Sequence, residues 1–137
     1  MAAQQSLINA LNKALAWELR AIAMYSHYAA YVKGIPRLHL QPKFATEANE
    51  SLAHAAQVRD AIVKLGGIAV TRPAEVEIVH TDALEVMLEE ALMTEQQAVA
   101  HYREILAELD TEEEMFDVIQ QIQFAEERAV DELRKLM

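Results

Sequence analysis

Gly66-Gly67-Ile68-Ala69-Val70-Thr71-Arg72-Pro73-Ala74-Glu75-Val76-Glu77-Ile78-Val79-His80 is the stretch that decides how this chain folds. It has no helical period and contains Pro73, whereas the sequence on either side repeats apolar residues every three or four positions, as one face of a helix does. Upstream, a first helix is expected from about Gln4 to Lys33, ending at Gly34-Ile35-Pro36. A second follows from about Lys43, with Pro42 in its first turn, to Leu65, and stops at Gly66-Gly67. Downstream, Thr81-Asp82 offers caps for a third helix reaching about Glu108. Asp110-Thr111 breaks it, and Thr111 with Glu114 reads as a capping box for a fourth helix running to the C-terminus. The first and third connections are short, so each joins antiparallel neighbours. The middle one, extended, reaches roughly 45–50 Å against a helix length of roughly 35–40 Å. It can therefore cross the bundle lengthwise and set the third helix parallel to the second. The expectation is an all-α four-helix bundle with one long crossover between helices two and three, residues 1–137 forming a single domain.

Four helices with one long crossover are the ferritin-like arrangement, and the composition agrees with it. Three glycines and three prolines in 137 residues leave little punctuation for anything but long helices. Cysteine is absent, which removes disulfides, thiolate metal sites and thiol nucleophiles. No apolar run approaches a membrane span, and Met1-Ala2-Ala3-Gln4-Gln5 lacks a signal-peptide pattern, so a cytoplasmic protein without a membrane partner is expected. The net charge of −10 excludes the usual basic footprint of a nucleic-acid binder and favours cations as partners.

The chain also repeats itself. Ala14-Leu15-Ala16-Trp17-Glu18-Leu19-Arg20-Ala21-Ile22-Ala23-Met24-Tyr25 and Ala91-Leu92-Met93-Thr94-Glu95-Gln96-Gln97-Ala98-Val99-Ala100-His101-Tyr102 share Ala-Leu-x-x-Glu-x-x-Ala-aliphatic-Ala-x-Tyr. Two helix pairs related by a pseudo-twofold axis produce such a pattern. Glu18 and Glu95 both fall on the apolar stripe of their helices, as does Glu126 on the fourth helix, and His54 lies at the edge of the stripe on the second. Each interruption sits near its helix midpoint, so the four should meet in one layer. A lone buried-face Glu is usually a frayed or snorkelling residue. Three carboxylates clustered without a cation would mostly protonate and destabilise the fold. With one, carboxylate and imidazole ligation suits iron, manganese or zinc in a bundle core.

Glu50, four residues before His54, can reach the same ion or stay solvated at the rim. Glu47 points inward two turns away and suits either a carboxylate on the approach path or simply a negative charge near the helix N-terminus. Tyr25 and Tyr102 lie two turns beyond their own Glu and can lean towards the other repeat's carboxylate, Tyr25 to Glu95 and Tyr102 to Glu18, or simply pack in the core. His27, His39, His80 and His101 are expected on the surface. Helices one and two carry a second apolar face, with Ala16, Ala23, His27 and Tyr31 on one and Ala45, Leu52, Ala56 and Val63 on the other. A homo-oligomer, dimer or larger, is expected to cover it.

These residues resemble bacterioferritin and the wider ferritin-like di-iron carboxylate proteins. Glu18 and His54 match the first half of that family's ligand set, Glu95 and Glu126 the second, and Tyr25 a tyrosine common near the centre. Asp131-Glu132-Leu133 extends the similarity. The resemblance implies iron, a di-iron centre with Glu126 and Glu50 as bridges, and ferroxidase or iron-storage activity. Ser51 and Ala129 stand where the family has a bridging Glu and a second His, leaving four of its six ligands. Leu52 replaces the methionine that ligates haem, so no haem is expected, and with Met137 as the last residue the family's short fifth helix is not expected either. Two alternatives stay open: a ferritin-like oxidase of a small organic substrate, and a degenerate structural or stress protein without metal.

Overall fold

The computed structural model describes residues 2–137. It holds α1 (Ala2–Tyr31), α2 (Arg37–Lys64), α3 (Leu84–Ala107) and α4 (Glu114–Leu136), with no strand among the described residues. None of these helices is long and apolar enough to cross a membrane.

Local chemistry explains most boundaries. Gly34 takes φ +76° just beyond α1, and the Arg37 guanidinium donates to the Ala29 and Val32 carbonyls at 2.9 and 2.8 Å. Those carbonyls belong to the end of α1, which has no further turn to accept them. α2 begins about six residues earlier than its expected start. Pro36, with φ −57°, occupies the N-cap, and Pro42 lies in the second turn. α2 ends in a Schellman motif: Gly66 takes φ +79°, Gly66 N–H donates to Val63 O, and Gly67 N–H donates to Ile62 O. The expected capping box of α4 does not form, because Glu113 occupies the N-cap without a side-chain bond.

The crossover runs along α1, in the same direction as that helix, and is tied to it at five levels. Asn12 bonds both Ile68 O and Val70 N–H. Ala74 N–H donates to Ala16 O at 2.9 Å. Arg20 Nε and Nη2 donate to Val76 O and Glu77 O at 2.7 and 3.0 Å. Tyr28 OH donates to Val79 O at 2.7 Å, and Lys33 pairs with Asp82 at 2.8 Å. This returns the chain to the end of the bundle where α2 began, so α3 runs parallel to α2 and antiparallel to α1.

Apolar packing divides into two clusters. Leu11, Leu15, Val58, Ile62, Ile105, Ile119 and Ile122 belong to one, and Met24, Tyr28, Phe44, Met87, Leu88 and Leu133 to the other. Between them, at mid-height, lies a layer that is polar.

Candidate metal centre

Each helix delivers one side chain to this layer. Glu18 and Glu95 are 2 % exposed and Glu126 is 4 % exposed; the His54 side chain is 13 % exposed. They arrive together because Glu18, Glu95 and Glu126 sit on the buried lines of their helices and His54 at the edge of that of α2, beside Ala55. His54 Nδ1 lies 2.8 Å from Glu126 Oε1 and 3.2 Å from Glu18 Oε2. Among the described residues, Glu18, His54 and Glu126 are the one group of three whose ligating atoms lie within 4.8 Å of one another.

Two phenols cross between the repeats. Tyr25 OH donates to Glu95 Oε1 at 2.8 Å, and Tyr102 OH donates to Glu18 Oε2 at 2.6 Å. Burial, then the charge of the accepting carboxylate, holds both hydroxyls well above the usual tyrosine range. They remain donors at any physiological pH.

The carboxylates are strained electrostatically. Burial pushes Glu126 well above the ordinary carboxylate range, and the neighbouring charges of Glu18 and Glu95 push it further. Glu95 is raised mainly by burial. Burial works to lower His54, but its bond to Glu18 and the charges of Glu18, Glu50 and Glu95 outweigh that and raise it. Glu95 Oε2 is buried with no hydrogen-bond partner. A buried carboxylate oxygen without a donor costs about 1–3 kcal/mol or more. Three clustered acids, one imidazole and an orphaned oxygen form a donor set that a divalent cation would satisfy, and oxygen with nitrogen suits a first-row ion.

Glu50 stands apart from this set. It is exposed, because the buried line of α2 runs through Phe44, Ala48, Ser51, Ala55 and Val58 and leaves residue 50 a step to the side. Glu50 instead lines a cavity of about 410 Å³ between α2 and α4, with Glu47, Ala129, Asp131 and Glu132 among its other walls. Glu47, with its side chain 16 % exposed, is raised to about 7 by burial and then by the charges of Glu95 and Glu50.

Two sets of contacts had no reading in the sequence. Arg20 is 1 % exposed and lies beside the site, its Nη1 donating to Thr94 Oγ1 at 2.7 Å. Thr94 adjoins Glu95, so Arg20 joins the crossover to the helix turn that carries this ligand. An arginine in the middle of an apolar repeat was the available signal. His27 and His80, expected on the surface as separate residues, meet at 2.9 Å between ring nitrogens. That contact, with Tyr31 packed on His80, places the crossover over much of the outer face of α1.

A ferritin-like domain family matches residues 8–137. A ferritin-like, di-iron-carboxylate protein from Bacillus anthracis superposes with a TM-score of 0.93 at 30% identity, covering 99% of this chain and 98% of that one. The dodecameric thioferritin of Bacteroides fragilis, a bacterioferritin-related protein, gives 0.86 at 28% identity over 96% and 84% of the two chains. A DPS protein from Vibrio cholerae gives 0.88 at 18% identity over 98% and 91%, a likeness of fold alone. Comparison with curated proteins finds no significant match.

Proposed function

This chain belongs to the ferritin-like domain family, and on that premise we propose that it binds iron at the mid-bundle layer and oxidises or stores it, as a cytoplasmic, single-domain member of the bacterioferritin group. The observation that carries this reading is the mid-bundle layer to which each helix contributes one residue, Glu18, His54, Glu95 and Glu126, with the ligating atoms of Glu18, His54 and Glu126 within 4.8 Å of one another. Iron is substrate here: four Fe(II) and four protons reduce one dioxygen to two waters and leave four Fe(III).

The side chains favour the oxidised product in a definite way. The acids of Glu18, Glu95 and Glu126 contribute a negative potential in a desolvated site, where it stabilises a trivalent ion more than a divalent one. His54 ligates only as the neutral imidazole, so loading releases its proton. Tyr25 and Tyr102 each donate to one oxygen of a carboxylate, Glu95 Oε1 and Glu18 Oε2, which fixes the carboxylate's orientation. Anaerobic titration with Fe(II), followed by oxygen, tests the proposal. Binding at the buried site and near-ultraviolet ferric absorbance are expected. Absence of both would sink it.

Glu47 is proposed as the carboxylate on the approach path. Its cavity walls carry four carboxylates against Arg128 and Lys135, which suits a cation better than an organic substrate. Glu47→Gln is expected to slow anaerobic Fe(II) uptake roughly 10-fold, the low end of electrostatic focusing, with the amount bound unchanged. Glu47 titrates at about 7 and is charged above that value. Wild-type uptake should therefore accelerate as pH rises through about 7, and the variant should lose that step. Stopped-flow mixing across this range reads both.

Assembly into a homo-oligomer is part of the proposal. Leu52 and Val63 on α2 are 57 % and 63 % exposed, and Ala56 on the same face is exposed too. The face of α1 that carries Ala16 and His27 is engaged by the crossover. The α2 face is therefore the main surface left for a second copy.

A further inference from the structure

We propose that the bundle centre holds one metal ion per chain, and not the pair that di-iron carboxylate bundles hold. The inference rests on the metal-binding reading above and concerns how many ions this set of residues can ligate. A single His54 nitrogen faces both Glu126 Oε1, at 2.8 Å, and Glu18 Oε2, at 3.2 Å. All three ligating atoms lie within 4.8 Å of one another. An ion bonded to oxygen and nitrogen at about 2.0–2.2 Å keeps its donors within about 4.4 Å of each other. With His54 Nδ1 at 2.8 and 3.2 Å from the two carboxylate oxygens, these three donors are close enough to share a single coordination sphere.

A second ion, about 3.5–4 Å from the first, needs donors of its own. In bundles that hold two, one Glu from each of two helices joins a Glu-x-x-His pair on each of the others, six side chains in all. Here both pairs are broken. Three residues before His54 stands Ser51, buried at 4 % exposure, and three after Glu126 stands Ala129, at 8 %. Ser51 offers a neutral hydroxyl and Ala129 offers nothing. Glu126 is already engaged at the first position. Glu95 lies outside the close group of three, with Oε1 bonded to Tyr25 and only Oε2 free. A second ion would have Glu95 Oε2, the remaining oxygens of two acids already committed to the first ion, and no imidazole of its own. Nor does the neighbouring cavity make up the deficit: no other group of three His, Asp or Glu comes close enough among the described residues.

The test counts ions without using turnover. The full-length protein is equilibrated anaerobically with Co(II), a redox-stable probe, and bound metal is measured by elemental analysis, with Glu126→Ala subtracting surface binding. One Co(II) per chain is expected, with the paramagnetic resonance signal of an isolated ion. The double variant Ser51→Glu, Ala129→His is expected to take two, with the signal altered by magnetic coupling. Two ions in the wild-type centre would overturn the inference. So would a folded double variant that still takes one, because the deficit would then lie elsewhere. No ion at all would overturn the metal-binding reading itself, a result distinct from either of the others.

Discussion

Glu126→Gln is expected to stabilise the metal-free protein above neutral pH while costing on the order of 100-fold or more in metal affinity, since even residues that only orient ligands cost 10–100-fold. The two effects have opposite signs because the same carboxylate is a burden in one state and a donor in the other. Glu126 is raised by burial and by Glu18 and Glu95, so its folded pKa lies above its unfolded one. For such a group, stability is fully present below the unfolded value, about 4.3, and is lost as pH rises through the folded value. Glutamine keeps the shape and does not titrate. The advantage of the variant should therefore vanish near pH 4 and grow with pH, reaching about 1–3 kcal/mol, the scale on which buried charges are relieved. Glu47, raised to about 7, is present in both proteins, so its effect largely cancels, whereas Glu95 titrates together with Glu126 and its change is part of the difference. Chemical denaturation of the two proteins in chelator, across pH, measures this. A difference that is flat or negative at high pH would contradict the electrostatic account. With metal in excess the balance should shift towards the wild type by about 2.8 kcal/mol, the worth of a roughly 100-fold difference in affinity at about 1.4 kcal/mol per tenfold.

Arg20→Met is expected to destabilise the protein by about 2–6 kcal/mol, two carbonyls each losing a donor at a cost of about 1–3 kcal/mol. The guanidinium is 1 % exposed and donates to Val76 O, Glu77 O and Thr94 Oγ1, with its charge 5.3 Å from the Trp17 ring. Methionine keeps the apolar stem and removes every donor. Thr94 keeps its own bond to Glu90 O, so the loss falls mainly on the two crossover carbonyls. Hydrogen exchange should show the segment from Ile68 to Val79 opening at lower free energy than the helices beneath it. A variant within about 1 kcal/mol of wild type, on the scale of one ordinary hydrogen bond, would mean that Arg20 does not clamp the crossover.

The four helices and the crossover were readable because apolar period and connection length are local properties of a chain. The start of α2 was not. Pro36 and Pro42 both suit a first turn, and only the docking of Arg37 on the carbonyls of α1 selects the former. The layer of Glu18, His54, Glu95 and Glu126 was readable because each residue interrupts a stripe at mid-helix. Spacing leaves Glu50 either within reach of the ion or solvated at the rim, and its exposure fits the rim. The second face of α1 was read as a surface for another copy. Side chains report that a face is covered, not what covers it, and here much of the cover is the chain's own crossover. Arg20 escaped notice for the opposite reason: an arginine beside apolar residues usually reaches water along its stem, and the carbonyls that hold this one are 56 and 57 residues away.

The crossed phenol bonds bear on how the two halves of the chain find each other. Tyr25 reaches Glu95 across 70 residues and Tyr102 reaches Glu18 across 84, so neither bond exists until the α1–α2 hairpin has met the α3–α4 hairpin. Two apolar hairpins can pack in several ways at similar free energy. Sliding one past the other by a single turn, about 5.4 Å, would separate both tyrosines from both acids and leave four buried polar groups unpaired. The polar layer works as a registration key: greasy contact brings the halves together, and only one alignment turns the lock.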